Sequence, residues 1–198
     1  MKINDILIVD TIKQDAFGRG IAKYNNFVIF VNNALPNEQL KIIIKKLKKN
    51  YAEANIVEII KPSNSRRTYE CIYYDKCGGC NIGHQCYGDQ IQYKKNKVKE
   101  LLNVKNIDII KTNELNYRNK IVLRIKDKKV GLYEKLSNSV VEIDNCKISN
   151  NKINNIITKI NDFKYIEYVN EITIRALDET MISFITNRNI NKEIIEYF

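Results

Sequence analysis

Apolar and polar positions alternate in short bursts over the first sixty residues. "DILIVDTI" (5–12) and "FVIFV" (27–31) are β-branched and aromatic runs of strand length, and "FGRG", "KYNN" and "ALPNEQ" beside them are turn-like. "LKIIIKKL" and "YAEANIVEII" follow with a polar turn between them. Strands this short, with no crossover helix, predict a small antiparallel barrel. The stretch "KIIIKKLKKN" can also be drawn as a basic amphipathic helix. Three consecutive isoleucines, stiff at χ1, favour a strand there.

The pattern then changes. "KPSNSRRTYE" has no periodicity, carries Pro62 and reads as a linker. In "YGDQIQYKKNKVKELLNV", Tyr87, Ile91, Val98, Leu101 and Leu102 fall on one helical face. Beyond Asn106 the chain returns to strands: Ile121, Leu123 and Ile125 alternate, Asp127 and Lys128 can turn a hairpin, and "SVVEIDNC" delivers a further strand. Ile153, Ile156, Ile157 and Ile160 have helical spacing, and "NEITIRAL" and "TMISFIT" look like a strand pair. This predicts an α+β chain in three parts. Residues 1–62 form an OB-like β-barrel, 63–104 a cysteine segment with its helix, and 105–198 a mixed α/β central domain.

Composition narrows the function. The chain has 198 residues, 33 Lys and Arg against 23 Asp and Glu, and a formal net charge of +10. That excess attracts polyanions, RNA first among them, although the abundance of Ile, Asn and Lys also matches an AT-rich coding sequence. Neither a membrane span nor a signal peptide is evident, so a cytoplasmic location with reduced thiols is expected. Small barrels hold single strands with a basic groove and aromatic platforms. Phe17 and Arg19 in the Gly-flanked loop, with Lys41, Lys45, Lys46, Lys48 and Lys49, are the first candidates, and Arg118 and Arg124 the second.

Four of the five cysteines lie in "CIYYDKCGGCNIGHQC", and the fifth is Cys146. The odd count and the expected compartment argue against disulfides. The Cys77–Cys80 pair, with Gly78 and Gly79 between, places two sulfurs near one metal centre, and Cys71 can supply a third. The fourth could be Cys86 or Cys146. Zinc and an iron–sulfur cluster both accept four thiolates, and spacing does not separate them. The single histidine, His84, is as readily a packing residue as a ligand.

"CIYYDKCGGCNIGHQCYGDQ" resembles the cluster segment of the S-adenosylmethionine-dependent RNA uracil-5-methyltransferases, through Cys71, Cys77, Gly78, Gly79, Cys80, His84, Tyr87 and Gln90. "AFGRGIAKYNNFVIFVNNALPNEQLKI" is similar to the TRAM domain that precedes that segment in many members, and "YRNKIVLRI" and "GLYEKLSNSVVEIDNC" resemble the family's central region. Asn37 stands where the family usually has Gly. The resemblance implies an RNA-binding chain acting on rRNA or tRNA, without DNA or membrane as partner. It further implies a [4Fe–4S] cluster on Cys71, Cys77, Cys80 and Cys146, with Cys86 spare.

S-adenosylmethionine belongs to the family's methyltransferase domain. None of the seven glycines forms a cofactor loop in a βαβ setting, and no cysteine is left as a nucleophile. The expectation is therefore a fold without the methyltransferase domain, inactive alone and with no catalytic or S-adenosylmethionine-binding residue. Such a chain would be a truncated product, a fragment, or one piece of a split protein whose partner is a separate methyltransferase-domain polypeptide. A stand-alone RNA-binding module or scaffold with a structural iron–sulfur or zinc site is the alternative.

Overall fold

A computed structural model describes residues 1–198. The chain divides into two compact units, 1–69 with 81–110 and 70–80 with 111–198. The segment 63–104, expected as one part, is thus shared between them. No helix is long and apolar enough to cross a membrane.

In the first unit, β1 (Ile6–Gln14), β2 (Gly20–Tyr24), β3 (Phe27–Asn32), β4 (Gln39–Leu47) and β5 (Tyr51–Lys61) close a barrel in the order β1-β2-β3-β5-β4. The alternation seen in the sequence is the burial pattern: Ile29, Val31, Leu40, Ile42, Ile44, Ala52 and Ala54 are fully buried. The isoleucine run is a strand, and only its alternate members point inward. One expectation needs correcting. The barrel is not wholly antiparallel, because β3 pairs with β5 in parallel. Closure requires it: β4 leaves β3 to seal the sheet against β1, and β5 returns between β3 and β4.

Asparagine supplies the turns that glycine often makes. Asn25 and Asn26 both take positive φ in the two-residue hairpin between β2 and β3, which suits the strand twist. Asn37 has φ 62°, so the departure from Gly retains the left-handed backbone that position demands.

The stretch read as a free linker is fastened to the barrel. Arg66 forks onto the buried Glu38 carboxylate, with Nη2 also donating to the Asn33 carbonyl at 2.7 Å. Arg66 bridges to Gln85, and the Cys86 amide donates to the Ser65 carbonyl at 2.7 Å. The helix α1 (Tyr87–Leu102) follows, and its expected apolar face is not its packed face. Gln90 is its buried residue and donates to the Gln85 carbonyl at 2.9 Å. Tyr93 donates to the Asp15 carbonyl at 2.7 Å. Leu101 and Leu102 are 80% and 64% exposed. Hydrogen bonds from Gln90 and Tyr93 orient this helix, which a pattern of apolar residues cannot reveal.

The second unit holds β6 (Lys120–Lys126), β7 (Lys129–Tyr133), β8 (Val140–Glu142), β9 (Val169–Ala176) and β10 (Thr180–Thr186), in the order β10-β9-β6-β7-β8. Every pairing is antiparallel, so the central region is a covered antiparallel sheet rather than an α/β unit. The β6–β7 hairpin turns at Asp127 and Lys128, both at positive φ. Helix α2 (Asn151–Asn161) buries Ile153, Ile157 and Ile160 against Ile121, Leu123, Ile172 and Ile174. Each such side chain contributes about 1.5–3 kcal/mol by leaving water. The Asn150 side chain caps α2 by accepting from the Ile153 amide at 2.9 Å. A short helix α3 (Asn191–Tyr197) ends the described chain.

Burial alone would raise the Glu38 carboxyl. The hydrogen bond from Arg66, the Leu35 and Ser63 amides and the guanidinium charge outweigh it and hold the group below the usual carboxylate range. A depressed folded-state value stabilises the fold above the unfolded carboxylate pKa, and that contribution is lost as pH falls through the folded value. Arg66→Ala leaves a buried charge unpaired and is expected to cost about 3–5 kcal/mol at neutral pH. The deficit against the parent protein should shrink as pH falls, because the unpaired carboxyl, raised by burial, takes up its proton at higher pH than the paired one. Chemical denaturation at a series of pH values measures both.

Candidate functional site: a four-thiol assembly and a basic aromatic barrel face

Cys71, Cys77, Cys80 and Cys146 all belong to the second unit, while Cys86 belongs to the first. The loop 71–80 is a tight coil: Tyr74 donates to Cys71 O at 3.0 Å and Cys77 to Tyr73 O at 2.8 Å. It is attached to the β7–β8 hairpin by the Cys77–Glu134 bridge, by Gly78 N to Tyr133 O at 2.8 Å and by Lys135 N to Lys76 O at 2.8 Å. Neither Gly78 nor Gly79 needs a left-handed backbone; they are there for space. A Cβ on Gly78 would meet the Tyr133 carbonyl at 3.0 Å, and one on Gly79 the Leu132 side chain at 3.3 Å.

Cys146 arrives on a turn held by Asn154 of α2. The Asn154 Oδ1 accepts from the Cys146 amide at 2.8 Å, and its Nδ2 donates to the Cys146 carbonyl at 3.3 Å. Tyr73 ties the two segments together, donating to Asp144 Oδ2 at 3.1 Å while accepting from the Asp144 amide at 3.1 Å. Neither Tyr73 nor Asn154 was marked by the sequence. One is a tyrosine among several in its segment, and the other is an asparagine in an asparagine-rich helix.

The thiols share one electrostatic environment. Burial pushes the Cys80 thiol up to about 11, and Cys146, Cys77 and Cys71 add to the rise while Arg118 opposes it. Cys77 is raised by burial first, then by Cys146 and Cys71, against a hydrogen bond from the Gly79 amide to its sulfur at 3.4 Å. No group of three or more His, Cys, Asp or Glu side chains is placed to hold a single metal ion. His84 is buried in the first unit, and its carbonyl accepts from the Arg67 amide at 2.9 Å.

The candidate RNA contacts are sorted by the fold. Phe17 is 70% exposed at the β1–β2 turn. Arg19 lies over the Phe30 ring at 4.5 Å and 5.6 Å from the Phe17 centroid. Phe30 meets Tyr51 edge to face at 5.5 Å. Arg19 is also paired with Asp15 at 2.7 Å and Glu53 at 3.8 Å, and Lys46 with Glu53 at 3.3 Å. Lys41 pairs with Glu58 at 3.9 Å. Lys45, Lys48 and Lys49 are exposed. Phe30 and Tyr51 escaped the sequence reading, yet they alternate with buried Ile29, Val31 and Ala52, and that alternation marks the outer face of their strands. The second group falls differently. Arg124 pairs with Glu171 across β6–β9 and covers Tyr133. Arg118 is drawn to the cysteine loop, donating to the Gly79 carbonyl at 3.4 Å.

Residues 6–57 match the TRAM domain family. A protein of Clostridium tetani described as an uncharacterized RNA methyltransferase is 35% identical over 82% of this chain and 36% of its own length. One of Staphylococcus epidermidis, described the same way, is 31% identical over 94% of this chain and 47% of its own. Among solved structures, the Pyrococcus abyssi tRNA (uracil-54, C5)-methyltransferase, in complex with S-adenosyl-L-homocysteine, matches with TM-score 0.72 at 22% identity, over 96% of this chain and 48% of that one. Residues 6–57 belong to the TRAM domain family, and nearly the whole chain is similar to one part of proteins described as RNA methyltransferases. It spans between a third and a half of the length of these relatives.

The match also corrects the expectation of a fold with the methyltransferase domain absent. Nearly the whole chain, 96%, follows the fold of 48% of that solved chain, so the expectation of an absent domain is withdrawn. The glycine count and the end at Phe198 say nothing of the rest of a protein when relatives extend so far beyond the matched region.

The barrel face yields a test that separates charge from stacking. Each phosphate neutralised on a single strand adds about −0.7 to the log–log salt slope. Replacing Lys45, Lys48 and Lys49 by Ala is expected to flatten the slope by roughly 1.4–2 if two or three contact phosphate. Phe17→Ala should weaken binding by about 1–3 kcal/mol and leave the slope alone. Fluorescence anisotropy over a salt series with a single-stranded RNA reads both; unaltered binding in both variants removes RNA from this face.

Proposed function

We propose that this chain is the RNA-recognising and cluster-bearing part of an RNA uracil-5-methyltransferase. In that reading the whole protein transfers a methyl group from S-adenosylmethionine to C5 of a uridine in tRNA or rRNA. The observation that carries it is a TRAM barrel and a four-thiol assembly in one chain whose fold follows a tRNA (uracil-54, C5)-methyltransferase over 96% of its length.

The reading of a [4Fe–4S] cluster rests on the donor type, since four cysteine thiols are the set such a cluster takes. Cys71 and Cys146 add to the rise at Cys77 and Cys80, all four are half-buried, and the Cys77 sulfur accepts a backbone amide. When bound, the cluster would supply a covalent cross-link between the 71–80 loop and the Cys146 turn without an oxidising compartment. The chain's own part is to hold the four sulfurs in place through Tyr73, Asn154 and the β7–β8 hairpin. The barrel face with Phe17, Arg19, Phe30 and the free lysines binds RNA through stacking and phosphate attraction.

Protein isolated without oxygen is expected to be brown, with iron and acid-labile sulfide. Ser in place of Cys71, Cys77, Cys80 or Cys146 should abolish the colour, while Cys86→Ser should keep it. Stoichiometric zinc without sulfide overturns the cluster assignment. For the reaction, the full-length protein with S-adenosylmethionine and uridine-containing RNA should release tritium from C5-tritiated uridine. Absence of release across tRNA and rRNA substrates overturns the assignment to uracil-5 chemistry.

A further inference from the structure

The five-stranded sheet of the second unit is covered by a helix on one side only. Ile121 and Leu123 of β6 and Ile172 and Ile174 of β9 pack in the core under α2. The residues between them point the other way, and the strand register sets them in rows. Lys120 lies opposite Arg175, with Met181 beyond it on β10. Val122, Thr173 and Ser183 form the next row, and Arg124, Glu171 and Ile185 the third. Lys126 lies opposite Lys129 at the far end. Lys120 and Lys126 thus stand at the two ends of the seven-residue β6, about 20 Å apart.

The charges on this open face are arranged at a cost. Like charges directly opposite each other across a ladder destabilise it. Lys120–Arg175 and Lys126–Lys129 are two such pairs; all four side chains are exposed, and none has an acidic partner. Asp127, Asp178 and Glu179 lie in the adjoining turns and form no ion pair with them. The carboxylates of the face, Glu171 and Glu142, both fall in the row of Arg124. There Arg124 faces Glu171 and pairs with it. A face that needed only solubility would be served by that opposite-charge arrangement throughout. Between the two cationic ends, Tyr133, Met181 and Ile185 are 43%, 54% and 53% exposed. The Arg124 guanidinium lies 5.3 Å from the Tyr133 ring centroid, which places the ring on this side of the sheet.

Resting on the reading of this chain as RNA-recognising, we propose that the open face of this sheet is a second RNA surface, distinct from the barrel face, that takes a single-stranded segment. Its phosphates meet the Lys120–Arg175 and Lys126–Lys129 pairs, whose repulsion a polyanion relieves. A base stacks on Tyr133, which Arg124 steadies. The exposed ring and apolar side chains favour unpaired bases, because a duplex turns its bases inward and meets a protein through phosphates and 2′-hydroxyls.

Fluorescence anisotropy over a salt series, with the full chain and a labelled oligouridine, tests this. Every variant keeps the barrel lysines and Phe17. Replacing Lys120, Lys126, Lys129 and Arg175 together by Gln is expected to flatten the log–log slope by about 1.4–2.8, for two to four phosphates. Tyr133→Leu should weaken binding about 5- to 150-fold at an unchanged slope. An oligouridine–oligoadenine duplex should compete less well than unlabelled oligouridine; equal competition overturns the single-strand assignment. Arg175→Glu sets opposite charges across β6–β9, so it should raise the denaturant midpoint while weakening RNA binding. A lowered midpoint with weakened binding makes these cations structural and overturns the proposal. Parent affinity and slope in the quadruple and Tyr133→Leu variants overturn it too, and leave the barrel reading standing. Parent protein that binds no oligouridine overturns the RNA-recognition reading itself, and this inference with it.

Discussion

Half-buried thiols that feel one another's charge resist ionisation, because each negative charge leaves water and meets its neighbours. Cys77 and Cys80 both show this rise, and the four sulfurs come from stretches about seventy residues apart in sequence. The fold nonetheless brings the segments that carry them together. Much of the second unit serves to keep it assembled. The β7–β8 hairpin grips the cysteine loop, Asn154 fastens the Cys146 turn, and Tyr73 joins the two. The isoleucine core under α2 holds the sheet that carries both.

The barrel solves a different problem with the same economy. Its interior is small aliphatic side chains, so its outer surface is free to carry charge and aromatic rings. Acidic residues moderate that surface. Glu53 is shared by Arg19 and Lys46, and Glu58 faces Lys41. A net charge of +10 therefore overstates the attraction available at any one place. The lysines left unneutralised on the β4–β5 turn and the ring of Phe17 are where an RNA strand would find both charge and a stacking face.

Glu38 and Arg66 show how far local reading reaches. Pro62 and the polar residues after it looked like a loose connection. A carboxylate on the barrel, buried at the start of β4, captures the guanidinium and makes the segment part of the barrel unit. In α1 the same thing happens through Gln90 and Tyr93, and the apolar face that periodicity selected is left exposed at Leu101 and Leu102. Specific polar contacts decided both places, in α1 against the hydrophobic pattern.

By itself the sequence determined the strands of the barrel, the Asp127–Lys128 hairpin and the isoleucine face of α2. All of these depend on near neighbours in the chain, and side-chain period and turn chemistry are local properties. Tertiary structure decided the parallel β3–β5 pairing that closes the barrel and the covered antiparallel sheet of the second unit. It also decided the partition of the cysteines and the move of Arg118 from RNA candidate to neighbour of Gly79. These are contacts between residues far apart in sequence, set by which surfaces must be covered and which charges must be met. No periodicity within a window of the chain encodes them.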